Sequence, residues 1–298
     1  MVNEVAVISG KGGTGKTTIC AALGMIADEI VMADCDVDAP DLHILLSPTI
    51  KSTTAFVASK MAVIDEDLCT SCGLCEEACR FDAITDSKVD SIACEGCGVC
   101  EFVCPEHAIQ MTDHQSGNLY ESDTRVGRMA HAKLLPGEGN SGRLVTEVRK
   151  LATRIATENG LSTVLIDGSP GIGCPVIATV TGIKLGIIVT EPTMSGIHDM
   201  QRVLELLKRF RVKAMVIINK SDLNLENTEA IERYCAENDA EVLGRIKFDS
   251  IMTQSMVAAQ TLPEFAPDHE ISQLLQAFWC RVTESLSSHD TEEHHTMH

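Results

Sequence analysis

A glycine-rich loop near the start of the chain has the residue types of a phosphate-binding site. The sequence GKGGTGKT at residues 10–17 fits the pattern G-x-x-x-x-G-K-[S/T], in which backbone N–H groups curl around phosphate oxygens. In this pattern the lysine, Lys16, neutralises the β- and γ-phosphates, and the hydroxyl of Thr17 is a ligand of Mg²⁺. The spacing therefore predicts a nucleotide site with Lys16 as a catalytic residue. The predicted nucleotide-binding residues of the loop are Gly10, Gly12, Gly13, Thr14, Gly15, Lys16, Thr17 and Thr18.

Eight of the 13 cysteines fall into two runs of the pattern C-x-x-C-x-x-C-x-x-x-C. Proteins with two 4Fe-4S clusters use this spacing, and the fourth cysteine of each run then binds the cluster of the other run. Zinc is the alternative metal, but zinc sites usually take paired C-x-x-C motifs that a longer gap separates, so we favour iron–sulfur clusters. We predict Cys69, Cys72, Cys75 and Cys104 as the ligands of one cluster and Cys94, Cys97, Cys100 and Cys79 as the ligands of the other.

The two cysteine runs are halves of a short internal duplication. CTSCGLCEEACRFDAI at 69–84 aligns with CEGCGVCEFVCPEHAI at 94–109, with eight identities in 16 positions at an offset of 25. Such a short repeat indicates a separate module within the chain. We therefore predict an inserted domain at 59–112, a discontinuous P-loop domain at 1–58 and 113–288, and a flexible tail at 289–298.

Apolar runs alternate with segments of helical periodicity outside the cysteine-rich region. The runs at 5–9, 30–33, 163–166, 185–190 and 214–218 are predicted strands, and 16–27 is a predicted helix. This alternation predicts an α/β fold with a mostly parallel sheet covered by helices on both faces, interrupted by a small α+β domain of the bacterial ferredoxin type. Residues 117–134 are predicted to form a β-hairpin.

The charge of the chain limits the partners that it can bind. The formal net charge is −19, which argues against nucleic acids and anionic membranes as partners. Between residues 65 and 110 there are eleven acidic residues and only two basic ones, so a partner that docks on this region is expected to have a basic surface. The apolar runs are too short to cross a bilayer and no leader-like segment opens the sequence, so we expect a cytoplasmic protein.

A second lysine in the glycine-rich loop, Lys11, points to a particular family. The loop KGGTGKTT resembles the deviant Walker A motif of the MinD/Mrp/ParA family of dimeric P-loop ATPases. The resemblance implies a nucleotide-dependent homodimer in which Lys11 reaches the nucleotide of the partner subunit and takes part in catalysis. With the cysteine-rich insert, the whole arrangement resembles the members of this superfamily that contain an inserted ferredoxin domain.

Two acidic segments strengthen this resemblance. The segment DCDVDAPDL at 34–42 is similar to the family's switch I, which implies that Asp36 positions the attacking water as a catalytic residue. The segment DGSPG at 167–171 is similar to switch II, which implies that Asp167 holds Mg²⁺ through a water molecule. Asp34 and Asp38 are expected to be structural or close to the magnesium. The insert begins soon after switch I, so we expect nucleotide state to influence the clusters.

The sequence INKSD at 218–222 bears on the identity of the base. Resemblance to the ATPase family implies that Asn219, with Lys220 beside it, binds the nucleotide and that Asn219 contacts adenine. The same residues also fit the N-K-x-D motif of GTPases, in which Asp222 would accept hydrogen bonds from guanine. Because Lys11 is typical of the ATPase family, we expect ATP with Mg²⁺, and GTP stays the alternative.

Three functions agree with these motifs. The first is a P-loop ATPase that couples nucleotide-dependent dimerisation to electron transfer or docking through its two clusters, with a redox or metallocluster protein as partner. The second is an ATPase that assembles or carries metalloclusters, although the C-terminal half has only the isolated Cys174, Cys235 and Cys280 in place of a C-x-x-C pair. The third is a spatial regulator like MinD or ParA, although the acidic, histidine-rich end differs from a basic membrane-binding helix.

Overall fold

The computed structural model describes residues 2–295, with side chains through residue 287. The chain forms two compact units. The first unit contains Met1–Thr53, Leu119–Ala132 and Ser141–His298, and the second contains Thr54–Asn118 and Lys133–Asn140. The insert expected at 59–112 lies within the second unit, which begins earlier, ends later and also takes in residues 133–140.

A mostly parallel sheet is the main element of the chain. The strands, in chain order, are β1 (Asn3–Ser9), β2 (Ile30–Cys35), β3 (Thr49–Ile64), β4 (Ile84–Thr85), β5 (Lys88–Val89), β6 (Ile109–Thr124), β7 (Gly127–Leu134), β8 (Thr163–Pro170), β9 (Leu185–Thr190), β10 (Lys213–Ile218) and β11 (Glu241–Arg245). Within residues 2–295 they form a nine-stranded sheet in the order β11-β10-β9-β1-β8-β2-β7-β6-β3 and a two-stranded ribbon of β4 and β5. Every neighbouring pair from β11 to β7 is parallel. Strands β3, β6 and β7 contain residues of both units.

Helices cover both faces of this sheet. In chain order, the helices of the described residues are α1 (Lys16–Ile26), α2 (Leu42–Leu46), α3 (Leu74–Ala78), α4 (Val99–Val103), α5 (Ser141–Glu158), α6 (Cys174–Val180), α7 (Met194–Arg209), α8 (Leu225–Glu237), α9 (Ser250–Val257), α10 (Leu262–Phe265) and α11 (Glu270–His295), of which α3 and α4 belong to the second unit. Val7 of β1 shares one core cluster with Leu23 of α1 and Phe278 of α11. Its neighbour Ile8 is buried on the opposite face, because successive strand residues alternate, and α5 and α7 contact the sheet there. The predicted α/β fold is confirmed.

The carboxyl ends of the parallel strands bring the predicted motifs together. The glycine-rich loop follows β1, the segment 34–42 begins at the end of β2, the segment 167–171 begins within β8, and INKSD begins at the last residue of β10. In the strand register, Asp34 of β2 lies beside Asp167 of β8. Crevices at this edge are the usual ligand sites of open α/β sheets, and the fold therefore places all four motifs where a ligand binds.

The strands expected at 5–9, 30–33, 163–166, 185–190 and 214–218 are β1, β2, β8, β9 and β10. The helix expected at 16–27 is α1, and the hairpin expected at 117–134 is formed by β6 and β7 with a turn at 125–126. The periodicity did not indicate β11. Helix α11 extends to His295, so the tail expected at 289–298 begins as helix, and its residues 296–298 lie outside the described residues. No helix in the described part of the chain has the length and apolar content needed to span a lipid bilayer.

The second unit repeats one structural pattern, as the duplication predicts. A glycine with positive φ precedes each of the short helices α3 and α4. The backbone N–H of Asp65 donates to the carbonyl of Ala108 at 2.7 Å, and that of Asp90 donates to the carbonyl of Ala83 at 2.8 Å. Each half of the duplication therefore pairs its beginning with the end of the other half. This exchange ties both halves into one small core.

Candidate nucleotide site and cysteine-lined cavities

The glycine-rich loop joins β1 to α1 and requires glycine at two crowded positions. Gly15 has a φ of 91°, and a Cβ there would lie 2.5 Å from the side-chain nitrogen of Asn219. A Cβ on Gly10 would lie 2.6 Å from the backbone carbon of Asp199. Glycine permits both approaches because it has no side chain. The loop thereby leads into the amino end of α1, where helix N–H groups and the helix dipole favour a phosphate group.

Lys16, the first residue of α1, links the loop to both acidic segments. Its buried Nζ lies 2.6 Å from Asp167 Oδ1 and 3.8 Å from Asp36 Oδ2. Burial alone would lower the pKa of Lys16, but the charge and hydrogen bond of Asp167 and the charge of Asp36 outweigh it, and the pKa is raised. The lysine is therefore a charged group at the centre of the site. The structure brings Lys16, Asp36 and Asp167 together, as the motifs predict.

Two buried carboxylates beside this lysine each have an oxygen with no hydrogen-bond partner. Among the described residues, these oxygens are Oδ2 of Asp34 and Oδ2 of Asp167. Burial, followed by the charge of Asp167, raises the pKa of Asp34 well above its ordinary value. Burial likewise raises the pKa of Asp36 to about 6, against the opposing charge of Lys16. Unpaired buried oxygens are unfavourable unless a cation or its water ligands satisfy them.

These oxygens fit a magnesium ion held in the manner of P-loop proteins. In such sites Mg²⁺ binds a P-loop hydroxyl, phosphate oxygens and water, and carboxylates hold the water. Thr17 offers the hydroxyl here, and it lies 3.3 Å from Lys16 Nζ. Asp34 and Asp167 offer the unpaired oxygens. The donor set of this edge of the sheet therefore suits a magnesium–nucleotide complex.

Two residues of the INKSD segment hold the glycine-rich loop through hydrogen bonds to its backbone carbonyls. The buried Asn219 side chain donates to the carbonyl of Thr14 at 2.8 Å. Lys220 Nζ donates to the carbonyl of Gly13 at 3.1 Å and pairs with Glu191 Oε2 at 3.0 Å. Both residues also line the cavity beside the loop. The observed role of Asn219 is to brace the loop, and its contact with the base stays a prediction.

A cavity of about 660 Å³ opens beside the glycine-rich loop. One wall is formed by loop residues 12–18 and Asp36. The segment after β11 and α9 also line this cavity, with Lys247, Phe248 and Met252 among their residues.

Lys11 is held within its own subunit. Its Nζ lies 2.6 Å from Glu191 Oε1, 3.2 Å from Thr193 Oγ1 and 3.1 Å from Ser195 Oγ. Burial would raise the pKa of Glu191, but its hydrogen bonds with Lys11 and Lys220 outweigh burial and the pKa is lowered. Glu191 is therefore an ionised acceptor between two lysines. The reach of Lys11 to a partner subunit stays a prediction.

Two cavities in the second unit are each lined by four of the predicted cluster cysteines. Each set takes three cysteines from one half of the duplication and the fourth from the other half. Cys69, Cys72, Cys75 and Cys104 line one cavity, and Cys79, Cys94, Cys97 and Cys100 line the other. The grouping is the one that the ferredoxin spacing predicts. No three His, Cys, Asp or Glu side chains within residues 2–287 lie close enough together to hold a single metal ion.

Backbone N–H groups donate to several of these cysteine sulfurs. The N–H of Ala83 lies 3.4 Å from Cys79 Sγ, and the N–H of Ala108 lies 3.3 Å from Cys104 Sγ, at equivalent positions of the two halves. The N–H of Ser71, followed by the hydroxyl of Ser87, lowers the pKa of Cys69. Such hydrogen bonds stabilise negative charge on sulfur, which is the form that binds metal. The donor set fits thiolate ligation in both cavities.

Sequence reasoning missed two parts of the nucleotide site. Glu191 follows β9 and pairs with Lys11 of the loop and with Lys220, but a single glutamate within VTEPT is not distinctive. Six residues between 247 and 256 also line the cavity, and the sequence did not indicate them because it did not indicate the preceding strand β11. An apolar run after α8 is the sequence signal that could have indicated β11 and the lining residues that follow it.

Fold and site together define a P-loop nucleotide-binding protein, and comparison with known proteins narrows the class. The family model described as CobQ/CobB/MinD/ParA nucleotide binding domain matches residues 5–261. An uncharacterized protein of Methanocaldococcus jannaschii is 36% identical over 227 residues, which cover 75% of this chain and 80% of that protein. The chain therefore belongs to the CobQ/CobB/MinD/ParA nucleotide-binding family and is a P-loop NTPase of the MinD/ParA type.

Solved structures of MinD proteins share this fold. The cell division ATPase MinD of Pyrococcus furiosus superposes with a TM-score of 0.58 at 17% identity, covering 95% of this chain and 99% of that chain. The septum site-determining protein MinD of Pyrococcus horikoshii, solved with Mg-ADP, has a TM-score of 0.57 at 18% identity, covering 95% and 96%. At these identities the similarity shows the fold alone.

Proposed function

We propose that the protein binds and hydrolyses ATP with Mg²⁺, forms a nucleotide-dependent homodimer, and carries two 4Fe-4S clusters through which it exchanges electrons with a partner protein. One observation carries the proposal: in a chain with a phosphate-binding loop, two further cavities are each lined by four cysteines drawn from both halves of a duplication. Four thiolates per cavity is the ligand number of a 4Fe-4S cluster.

Hydrolysis uses the charges gathered at the carboxyl edge of the sheet. Water attacks the γ-phosphorus, the bond to the bridging oxygen breaks, and ADP and phosphate form. Ionised Asp36 orients this water, and Lys16 neutralises charge on the phosphates. Thr17 and Asp167 would hold Mg²⁺, which would neutralise charge on the phosphates. Lys11 approaches the nucleotide of the partner subunit after it leaves Glu191.

The second unit supplies thiolate ligands and hydrogen-bond donors for the clusters. When bound, each cluster supplies one-electron redox chemistry. The N–H groups of Ala83 and Ala108 donate to ligand sulfurs and so favour the more negative, reduced state. The acidic surroundings, with eleven acids and two bases between residues 65 and 110, attract a partner with a basic surface. The same charge disfavours nucleic acids and anionic membranes.

The chain itself connects the two activities. Segment 34–42, which carries Asp36, leads into α2 and then into β3. Strand β3 contains residues of both units. A change in this segment with the γ-phosphate is therefore transmitted along the strand that enters the cysteine-rich unit. This coupling makes cluster reactivity depend on nucleotide state.

Anaerobic purification with iron analysis, ATPase assays and EPR spectra tests the proposal. We expect about eight iron atoms per chain and a cluster spectrum that changes with Mg-ATP. Lys16→Ala should lower kcat by about 10²- to 10³-fold and remove the spectral response to nucleotide, with iron content unchanged. Lys150→Ala, an exposed lysine on α5, is the matched control. If Mg-ATP changes the cluster spectrum of neither the wild type nor Lys16→Ala, the coupling is contradicted. A chain without iron would contradict the redox function.

Exposure of two cysteines favours a second candidate, an ATPase that assembles or carries clusters. Cys72 and Cys97 are exposed to solvent, one in each cavity set. An exposed ligand is accessible to an acceptor thiol, so a cluster can be exchanged there. Chelator challenge separates the candidates: clusters that persist support electron transfer, and clusters that pass to an apo-acceptor protein support delivery.

The MinD-like fold favours a third candidate, a spatial regulator that acts through ATP-dependent dimerisation. Such a protein would recruit a partner in the ATP state and release it after hydrolysis, without cluster redox changes. ATP-dependent partner capture by a variant that lacks all eight cluster cysteines would support this candidate. Loss of capture with loss of the clusters would support the first.

A further inference from the structure

The short helices α3 and α4 are built alike in the two halves of the duplication. They are related by the offset of 25 residues, and each follows a glycine with positive φ. The N–H of Asp86 donates to Glu76 Oε2 at 3.2 Å, and the N–H of Met111 donates to Glu101 Oε1 at 3.3 Å. These two hydrogen bonds are equivalent. The residue that follows each glutamate therefore has the same structural context in both helices.

The residue at this position differs between the helices, because it is Glu77 in α3 and Phe102 in α4. Both side chains are exposed, and Phe102, at 89%, is the most exposed large apolar side chain within residues 2–287. Val99, one helical turn earlier, is 40% exposed and lines the cavity that contains Cys97 and Cys100. Burying a phenylalanine side chain is favourable by about 1.5–3 kcal/mol. Phe102 gains this stabilisation only when a partner covers it.

The charge around Phe102 indicates which partner can cover it. Residues 89–118 contain five acidic residues and no Lys or Arg. Glu95 lines the same cavity as Val99, and Glu101 precedes Phe102 on α4. A second copy of this chain would bring a segment of the same sign and a formal net charge of −19, so repulsion opposes self-association on this face. A basic protein is attracted to it.

We propose that Val99 and Phe102 form the apolar centre of a docking surface for a basic electron-carrier protein, with the neighbouring carboxylates as its rim. The inference rests on the proposed redox function and assigns its partner to one half of the duplication. Buried aromatic side chains at the centre of an interface carry much of the affinity, whereas rim charges mainly raise the association rate. A partner on α4 lies beside the cavity that contains Cys97 and Cys100, so the cluster of this cavity faces it.

Two basic probes separate the apolar contact from the charge. Cytochrome c has lysines around an exposed apolar haem edge, whereas oligolysine has charge alone. Fluorescence titration at low ionic strength measures the affinity of the anaerobically purified chain for each probe. Phe102→Ala should weaken cytochrome c binding by about tenfold and leave oligolysine binding unchanged. Phe102→Glu should also weaken cytochrome c binding, but it should strengthen oligolysine binding because it adds a negative charge.

Two control variants accompany these measurements. Leu225→Ala removes an exposed leucine from α8 of the first unit and should change the affinity for neither probe. Glu77→Ala removes a charge at the equivalent position of α3 and should lower both affinities by no more than about twofold. Because Phe102 is exposed, its variants should fold normally, and an unchanged iron content shows that the second unit is intact.

Three results would overturn the inference. If Phe102→Ala keeps the wild-type affinity for cytochrome c, or if Phe102→Glu binds both probes more tightly, charge alone attracts the partner. If Phe102→Ala lowers self-association in sedimentation experiments without a probe, a second copy of the chain covers this face. Docking is measured with both proteins oxidised, so no electron is transferred. A chain without iron therefore contradicts the proposed redox function, whereas a chain with full iron and unchanged docking contradicts only this inference.

Discussion

The nucleotide site and the cysteine-lined cavities are built in opposite ways. The nucleotide site joins residues that are far apart in the chain: Lys16 contacts Asp167, and Thr14 is held by Asn219. The cysteine cavities are formed within residues 62–111, and their cysteines come from two copies of one short pattern. A parallel sheet gathers distant strand ends at one edge, whereas a duplication places its ligands by local spacing. Local spacing is visible in sequence, and the alignment of strand ends is not.

The largest expected effect comes from removing a cysteine that one half of the duplication contributes to the cluster of the other half. Cys104→Ser should remove one cluster and about half of the iron. Adding Cys72→Ser should change nothing further, because both cysteines line the same cavity. Adding Cys97→Ser should remove the remaining cluster, because this residue lines the other cavity. Iron and sulfide analysis measures both double variants, and the isolated Cys174→Ser is the control. Reversed results would place each cluster within one run.

A smaller effect tests the support of the glycine-rich loop from β10. Asn219→Ala leaves the carbonyl of Thr14 without its donor in a buried site. An unpaired buried carbonyl costs about 1–3 kcal/mol, so we expect about tenfold weaker binding of Mg-ATP or a comparable loss of stability. Calorimetric titration measures the affinity for Mg-ATP, and chemical denaturation measures the free energy of unfolding. Unchanged binding and unchanged stability would mean that the loop keeps its shape without this distant residue.

A further variant tests the hold of Glu191 on Lys11. Glu191→Gln removes the charge that pairs with both Lys11 and Lys220. If Lys11 must leave this pair to reach a partner subunit, ATP-dependent dimerisation should become about fivefold tighter. Analytical ultracentrifugation with ATP and with ADP gives the measurement, and Glu226→Gln on α8 is an exposed control. Weaker dimerisation would show instead that Glu191 presents Lys11 to the partner.

The smallest expected effect is a pH dependence of hydrolysis. The pKa of Asp36 is raised by burial to about 6. Its carboxylate is ionised above that pH and becomes protonated as the pH falls through it, so kcat should fall to about half near pH 6. A water-positioning role requires the ionised form. Measuring kcat from pH 5 to 8 at saturating Mg-ATP tests the direction of this pH dependence. A rate that rises on acidification would remove Asp36 from this role.

Much of the architecture could be predicted because its signals are local. The strands β1, β2, β8, β9 and β10 are short apolar runs, and α1 follows the glycine-rich loop directly. Strand β11 was missed because EVLGR is short and only partly buried, with Leu243 as its one fully buried residue. The second unit is larger than the predicted insert, because β3, β6 and β7 extend beyond the duplicated residues. Strand length depends on pairing partners, which a single sequence does not display.

The sequence by itself determined the spacing of the glycine-rich loop and of the cysteine runs, because these chemistries need particular residues at fixed short separations. Only the tertiary structure decided that Asn219 braces the loop, that Glu191 holds Lys11, and that Asp222 faces the backbone of Phe248. Each of these contacts joins the ends of different strands. The order of strands in the sheet, and not the order of residues in the chain, brings such ends together.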